Sequence, residues 1–329
     1  MTYRLRRGAA LFAGSAALAL AVALSGCSGG SDGGDAEGGD GTTTVKIAAL
    51  STANMAPIYI GIEQGFFEDA GIELEVQSVQ TGSEMITGVV AGSFDIVCAG
   101  YVPVFTAMSQ GLPLKFIAGN DVGGATPDVD WQVVVAGADS PVQDAEDLAS
   151  ATIGVNALKG VAEIQVRSSL EEQGVDDSGI ELTEIPFPEM PAALEQGHLD
   201  AALVPEPFVT QVLDAGGRVV DTPYANLGAD FPNGAYQTTE QFIAEDPDTV
   251  DAFVGAITKA IDYANENPDA VRAAIPTFTQ VPEDVANRMR LPVFNSELDL
   301  EKMTTLLDFT ETYGTIETRP SDDDLIYAP

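Results

Sequence analysis

The chain has 329 residues, of which 45% are hydrophobic, and its 14 basic and 51 acidic residues give a formal net charge of −37. That hydrophobic share excludes a disordered chain and suffices for one large or two mid-sized domains. The excess of acidic residues makes nucleic acids and anionic membrane surfaces poor partners, and it is typical of a solvated, solubilising surface.

Residues 1–26 have the pattern of an export signal. Three arginines precede an apolar run over about residues 9–24, which is too short and too rich in alanine for a permanent membrane span. The stretch LSGC at 24–27 resembles a bacterial lipobox, which implies cleavage before Cys27 and lipidation of that residue. With the leader removed, 11 basic residues remain against 51 acidic ones, a net charge near −40. Export by the Sec or the twin-arginine route is left open.

Residues 28–44, SGGSDGGDAEGGDGTTT, contain no apolar side chain large enough to pack. They are expected to form a flexible tether with a reach of roughly 20–25 Å. A lipidated Cys27 followed by this tether indicates a protein that is anchored outside the membrane and does not span it. Cys98 is then the remaining thiol, so no intrachain disulfide is expected, and its apolar context DIVCAG predicts a core residue.

From residue 45 the chain alternates strand and helix patterns. Asn54 is a candidate cap for a helix that begins near Pro57 and ends by Gly65, and a Thr-Gly-Ser stretch at 81–83 is a candidate cap for the next helix. The predicted strands are 45–50, 71–77, 95–100 and 114–120, and the later helices are 83–91 and 103–110.

The second half repeats this order. MITGVVAGSFDIVCAG at 85–100 and MPAALEQGHLDAALVP at 190–205 match at a constant offset of 105 residues. The repeat predicts one helix–turn–strand unit in two copies: Gly92 and Gly197 form the turn, and Asp95 and Asp200 begin the strand. Further strands are predicted at 151–156, 179–185 and 218–222, with helices at 158–174 and from Pro207.

Two α/β lobes of similar build follow from the repeat. Lobe one is assigned to 45–130 plus 233–329, lobe two to 131–232, with crossings at 128–140 and 233–242. The predicted fold class is α/β, each lobe a mostly parallel sheet flanked by helices, and the C-terminal helices are expected to pack on lobe one. Parallel sheets bind ligands outside the carboxyl ends of their strands, so the site is expected in the cleft between the lobes.

The sequence resembles the bacterial ABC-transporter substrate-binding proteins of the nitrate, aliphatic sulfonate and taurine type, which include thiamine-pyrimidine-synthase-like members. The matching stretches are APIYIGIEQGFFEDAGIELEVQ, the G-x-x-D element at 92–95, DLASATIGV at 147–155, GHLDAA at 197–202 and EPF at 206–208. The resemblance covers 45–314 and implies a type II periplasmic-binding-protein fold that closes on its ligand by a hinge motion. It also implies a monomer that delivers a small molecule to the membrane subunits and cytoplasmic ATPase of an ABC permease.

The same resemblance carries ligand-binding candidates onto the loops that follow the strands. Such loops enter helices, where unpaired N–H groups and the helix dipole can hold sulfonate, nitrate or carboxylate oxygens without arginine. The candidates are Asn54, Thr81, Gly82, Ser83, Tyr101, Asn120, Asn156, Lys159, Phe187 with Pro188, Glu206 and Tyr236.

No catalytic residue, metal or cofactor is predicted. His198 is the one histidine and falls in a helix-to-strand turn, where it lacks the second His or Cys that a metal site or nucleophile–base pair needs. Trp131, the one tryptophan, lies at the first crossing, where a pocket wall and a hinge filler are both open interpretations.

Three functions are weighed. Solute capture for import is favoured. An enzyme resembling thiamine-pyrimidine synthases is disfavoured because the chain lacks a Cys cluster. A solute-sensing lipoprotein is left open. For the ligand, a sulfonate-type or related small organic solute is preferred over a thiamine-pyrimidine precursor or other heteroaromatic. Lys159 is a candidate partner of an anionic head, and Glu206 would suit an ammonium or ring N–H.

Overall fold

The computed structural model describes residues 42–228 and 230–328. The predicted signal, the predicted lipidation site Cys27 and nearly all of the predicted tether lie outside the described residues. The first strand begins at Thr43, two residues earlier than the sequence pattern predicts. No helix of the described part is long and apolar enough to cross a membrane.

The strands, in chain order, are β1 (Thr43–Ala49), β2 (Ile72–Ser78), β3 (Ile96–Gly100), β4 (Leu114–Val122), β5 (Gln132–Ala136), β6 (Thr152–Val155), β7 (Glu181–Glu184), β8 (Ala201–Pro205), β9 (Arg218–Asp221), β10 (Pro232–Thr239) and β11 (Val293–Phe294). The helices are α1 (Ala56–Glu63), α2 (Phe66–Asp69), α3 (Gly82–Val90), α4 (Tyr101–Ser109), α5 (Val161–Glu172), α6 (Met190–Glu195), α7 (Phe208–Asp214), α8 (Pro223–Leu227), α9 (Glu240–Glu245), α10 (Pro247–Glu266), α11 (Pro268–Phe278), α12 (Glu283–Ala286) and α13 (Leu300–Thr312). Short 3₁₀ helices cover Ala53–Met55, Glu146–Ser150, Phe187–Glu189 and Asp322–Asp324.

The two sheets have equivalent strand orders. The first runs β11-β4-β10-β3-β1-β2, and the second, read from its opposite edge, runs β9-β5-β8-β6-β7. Apart from the extra edge strand β11, the strands of the two sheets therefore correspond one to one. Most strands of each sheet are parallel. The exceptions are β10 in the first sheet and β5 in the second, which arrive from the other lobe and lie antiparallel to both neighbours, and the edge strand β11, which is antiparallel to β4. The predicted α/β class with mostly parallel sheets is confirmed, and the antiparallel insertions are a feature that the sequence pattern did not predict.

Each sheet is covered on both faces by apolar side chains, because successive strand residues point to opposite sides. In β1, Val45 and Ile47 belong to the core under α1 and α10, whereas Ala48 faces the core under α3 and α4. The second sheet divides in the same way, with Val134 and Val135 on opposite sides of β5. Helices α10 and α11 pack on α1, and α13 packs on α4, as expected for C-terminal helices of lobe one.

The duplicated stretch performs one structural role twice. Gly92 (φ 71°) and Gly197 (φ 69°) both adopt the left-handed conformation that glycine permits at low cost. The Asp95 carboxylate accepts a hydrogen bond from the N–H of Lys46 at 2.8 Å, and the Asp200 carboxylate accepts one from Thr152 at 2.9 Å. In each lobe the aspartate thereby ties the start of one strand to the strand beside it.

Several element boundaries differ from the predictions. Asn54 does not cap α1; it is buried within the preceding 3₁₀ helix, and Met55 holds the cap position. Thr81 does cap α3, its hydroxyl accepting from the N–H of Glu84 at 3.3 Å. Helix α4 begins two residues before the predicted start, and α5 begins only at Val161, because Lys159 adopts a positive φ of 54° that interrupts the helix.

Candidate functional site

A cavity of about 80 Å³ lies between the two sheets, at the carboxyl ends of β1, β3, β6 and β8. One water needs ~10–15 Å³, so the cavity holds roughly half a dozen water-sized groups. Among the described residues that line it, none is Asp, Glu, Lys, Arg or His. Any charge on a bound solute must therefore be balanced by backbone dipoles or by charges behind the wall.

Four helices begin at this cavity. Met55, Gly100 and Gly160 hold the N-cap positions of α1, α4 and α5, Gly82 is the first residue of α3, and all four residues line the cavity. The first N–H groups of α3, α4 and α5 have no intrahelical partner and carry the positive end of the helix dipole. In α1, by contrast, the Ala56 N–H already bonds the Ala53 carbonyl of the preceding 3₁₀ helix and Pro57 has no N–H, so α1 contributes only its dipole. The arrangement can hold anionic oxygens without a cationic side chain.

A buried carboxylate lies behind the lobe-one wall. Asp121 is 1% exposed and accepts hydrogen bonds from the amide nitrogens of Asn54 (2.8 Å), Asn120 (2.7 Å) and Asn233 (2.6 Å). Burial raises the pKa of Asp121 from 3.8 to about 6, although the three amides lower it. The group is therefore ionised at neutral pH, one layer beneath the cavity.

A second layer of polar contacts supports this network. The Tyr236 hydroxyl donates to Asn120 Oδ1 at 2.8 Å, and the Asn120 amide nitrogen also donates to the Asn54 carbonyl oxygen at 3.0 Å. Tyr236 and Asn120 are fully buried and do not reach the cavity. Cys98, expected in the core, is 1% exposed but also forms part of the cavity wall; burial raises the pKa of its thiol.

The lobe-two wall carries an aromatic and an amide from the first crossing. Trp131 lines the cavity and its indole N–H donates to the Val122 carbonyl at 3.2 Å, so it is both a pocket wall and a link between β4 and β5. Gln132 also lines the cavity and donates to Gln165 Oε1 at 2.7 Å.

Glu206 belongs to the region between the lobes and not to the cavity wall. Its side chain is 1% exposed and accepts from the Thr210 N–H (3.0 Å), the Thr210 hydroxyl (2.9 Å) and the Arg290 N–H (3.1 Å). Its own carbonyl accepts from the Ala53 N–H at 3.0 Å, which is a backbone bond across the two lobes. Burial raises the pKa of Glu206.

Of the predicted site residues, the structure brings Asn54, Gly82, Asn156 and Phe187 together around the cavity. The Asn156 amide makes no side-chain hydrogen bond within 42–228 and 230–328, so it is available to a solute. The others lie elsewhere, and their roles in binding remain predictions. Tyr101 is buried and stacks on Phe116 with ring centroids 4.8 Å apart.

Lys159 and Ser83 face a separate surface hollow between α3, α4 and the loop before α5, and Pro188 lines hollows outside the cavity. His198 is exposed in its turn. Within the described part of the chain, no group of three or more His, Cys, Asp or Glu residues is arranged to hold a metal ion.

Sequence reasoning missed Thr52, Gln132, Asn233 and the glycine beside it, all of which line the cavity. Gln132 and Asn233 stand at the beginning of the two strands that arrive from the other lobe. The sequence signal that could have found them is their place: both are polar residues within a predicted crossing between the lobes, and Gln132 directly precedes the apolar run VVVA.

Comparison with known proteins gives the same architecture. The ligand-binding component of an ABC-type import system from Staphylococcus aureus, solved with zinc bound, superimposes with a TM-score of 0.76 at 13% identity, covering 87% of this chain and 97% of that one. The alkanesulfonate-binding protein SsuA from Xanthomonas axonopodis pv. citri, bound to MOPS, gives a TM-score of 0.74 at 15% identity, covering 87% and 98%. The taurine-binding periplasmic protein of Escherichia coli K12 is 21% identical over 248 residues, 75% of this chain and 72% of that protein.

Two α/β lobes, each receiving one antiparallel strand from the other, with an uncharged cavity between them, are the periplasmic-binding-protein fold. The family model of the NMT1-like family matches residues 38–278, and the chain belongs to that family.

Proposed function

We propose that this chain captures a small solute of the sulfonate, taurine or nitrate type in the interlobe cavity and delivers it to an ABC permease. The observation that carries the proposal is the uncharged cavity at which α3, α4 and α5 begin with free N–H groups. A sulfonate or nitrate oxygen is a weak base that accepts several N–H hydrogen bonds, so helix N-termini suit it without a cationic side chain. Relatives named for taurine and alkanesulfonate binding agree with this ligand class.

The proposal includes anchoring at the extracytoplasmic face of the membrane. The leader pattern, the lipobox at Cys27 and the Gly/Asp tether support this location. The folded part would then work within a few tens of ångströms of the permease. We propose a monomer, because one chain contributes both walls of the cavity.

Binding without chemistry fits the side chains around the cavity. Apart from hydroxyl and amide groups, the Cys98 thiol is the one nucleophile among the described lining residues. Burial raises its pKa and keeps it protonated. A catalytic thiol needs a base within hydrogen-bond reach, whereas the group beside Cys98 is the Tyr236 hydroxyl, whose own pKa is raised by burial.

A heteroaromatic solute is the second candidate. Trp131 and Phe187 both line the cavity from lobe two, and aromatic faces stack on planar rings. An aminopyrimidine would combine such stacking with hydrogen bonds to the amide side chains.

Trp131 provides the assay, because it is the one tryptophan of the chain and lies in the cavity wall. The purified chain is titrated with taurine, methanesulfonate, nitrate and an aminopyrimidine while Trp131 emission is recorded with excitation at 295 nm. Saturable change with one of the first three supports the proposal. A response to the aminopyrimidine alone selects the second candidate, and no response to any of the four refutes both.

A pair of variants locates the site. Asn156→Ala removes a free amide from the cavity and is expected to weaken binding of the responding solute about tenfold or more, since a hydrogen bond to a charged group contributes about 1.5–3 kcal/mol. Lys159→Ala, three residues further along and exposed, is expected to leave affinity unchanged. Loss of binding in Lys159→Ala with retention in Asn156→Ala would move the site to the outer hollow.

A further inference from the structure

The Asp121 carboxylate is buried without a cation. Its hydrogen-bond partners are three neutral amides, and no ion pair involving it occurs within 42–228 and 230–328. Buried charges in proteins are as a rule paired or bound to a metal, because removing an ion from water is costly. The question is what neutralises this one.

The carboxylate lies directly behind the cavity wall. A Cβ added to Gly234, which lines the cavity, would stand 2.6 Å from Asp121 Oδ1. Because Gly234 has no side chain, the Asp121 carboxylate lies within about one atom of the cavity. The field of Asp121 also contributes to the raised pKa of Cys98 on the same wall.

Asp121 also fixes which atoms its neighbours present to a solute. An ionised carboxylate only accepts hydrogen bonds, so each asparagine must turn its amide nitrogen toward it. For Asn233, which is 8% exposed and lines the cavity, the Oδ1 atom is left without a protein partner in the described part of the chain. A side-chain oxygen of lobe one is thus held at the cavity as an acceptor.

The same orientation passes through Asn54 to Thr52. Because Asn54 donates to Asp121, its Oδ1 accepts from the Thr52 hydroxyl at 2.7 Å. The Thr52 oxygen has then used its one proton and can only accept from a solute. Thr52 lines the cavity beside Asn54, so two acceptors, Thr52 Oγ1 and Asn233 Oδ1, are set by one buried charge.

We propose that the solute is a zwitterion whose protonated amine rests on Thr52 and Asn233 against Asp121, while its anionic end faces the helix N-termini. Asp121 is then a specificity-determining residue that acts through its asparagine partners. This inference rests on the proposed function and narrows it: plain alkanesulfonates and nitrate offer no N–H donor to these acceptors. The net charge of −37 works in the same direction, since it repels simple anions but not a solute whose own charges cancel.

The test compares taurine with two other ethanesulfonates through Trp131 emission. Taurine and isethionate differ only in an ammonium against a hydroxyl, and N,N,N-trimethyltaurine keeps the charge without N–H donors. The purified chain is expected to bind taurine at least tenfold more tightly than isethionate or the trimethyl compound. Equal affinity for taurine and isethionate overturns this inference but leaves the proposed function standing. Binding of none of the three also overturns it, and the titrations with methanesulfonate and nitrate then decide the proposed function.

Variants then assign the preference. Asp121→Asn is expected to reduce the taurine-to-isethionate affinity ratio to about one, and Asp69→Asn, the same charge change on the exposed surface of α2, is expected to preserve it. Thr52→Val keeps the shape and the carboxylate but removes one acceptor, and it is expected to lower the ratio at least threefold even if Asp121→Asn fails to fold. An unchanged ratio in Thr52→Val, or in a folded Asp121→Asn, refutes the assignment.

Discussion

Asp130 offers a prediction that is independent of the ligand. It lies at the first crossing, is 0% exposed, and its Oδ2 accepts from the N–H groups of Tyr224 (3.2 Å) and Ala225 (3.3 Å). Its Oδ1 has no hydrogen-bond partner within the described residues. Burial raises the pKa of Asp130 from 3.8 to about 7, against the opposing effect of the backbone donors and Arg290.

The sign of the pH effect follows from linkage. Because the pKa of Asp130 is higher in the folded state than in the unfolded chain, the folded state binds the extra proton between about pH 4 and pH 7. Lowering the pH through 7 therefore stabilises the fold through this residue. The difference between 7 and 3.8 corresponds to about 4 kcal/mol at the acid limit, of which about 3 kcal/mol is gained between pH 8 and pH 5.

Asp130→Asn removes this dependence. The amide oxygen can still accept from the two N–H groups, and any cost of the new amide nitrogen does not change with pH. The free energy of unfolding of the variant minus that of the wild-type chain is thus expected to rise by about 3 kcal/mol from pH 5 to pH 8. Urea unfolding followed by circular dichroism at several pH values measures it.

Asp214→Asn is the control of opposite sign, because the hydrogen bond from Arg288 lowers the pKa of that exposed carboxyl. Because this pKa lies below 3.8, the stability of the variant relative to the wild-type chain should stay level between pH 5 and pH 8, and it should rise only as the pH falls below about 4. If the difference for Asp130→Asn is flat between pH 5 and pH 8, Asp130 is ionised in the fold without penalty and the reasoning fails.

Two further predictions concern closure and the repeat. A Cβ at Gly100 would lie 2.8 Å from Val161 Cγ2 of the other lobe. Gly100→Ala is therefore expected to weaken taurine binding about tenfold in the Trp131 assay. Adding Val161→Ala to this variant is expected to restore the affinity. Failure of this rescue would show that the lobes do not close through this contact. Asp95→Ala and Asp200→Ala should each lower the free energy of unfolding by about 1–2 kcal/mol, and because the sites lie in different lobes their effects should add. A strongly non-additive double variant in urea unfolding would contradict the two independent copies.

The local parts of the fold could be predicted from the sequence. Gly92 and Gly197 adopt the left-handed conformation in the predicted turns, and Asp95 and Asp200 stand at the predicted strand starts. These features depend only on a few neighbouring residues. The site was predicted only in part. Asp121 meets Asn233 through a contact that spans 112 positions and exists only because β10 inserts beside β4, a pairing that no local pattern encodes.

The candidates that lie away from the cavity do so for equally physical reasons. Glu206 follows β8 at the position expected of a ligand residue, but its carboxylate is consumed by Thr210 and the Arg290 N–H, so it stabilises the junction of the lobes instead of facing the cavity. Lys159 precedes α5 as predicted, yet its positive φ turns the loop so that the side chain lies in the outer hollow. A negatively charged group was expected to meet the solute directly; the structure puts one behind the wall, at Asp121.

The two inserted strands explain why binding and closure should be coupled. Parallel strands end at the cavity, so a strand that enters antiparallel must begin there, immediately after it has crossed from the other lobe. Gln132 and Asn233 are therefore both cavity residues and the first residues beyond the two crossings. We expect the lobes to rotate about these two crossings, so a solute that hydrogen-bonds either side chain would act on the hinge itself. It can favour a closed arrangement only by the free energy of contacts that it makes there and not in the open one.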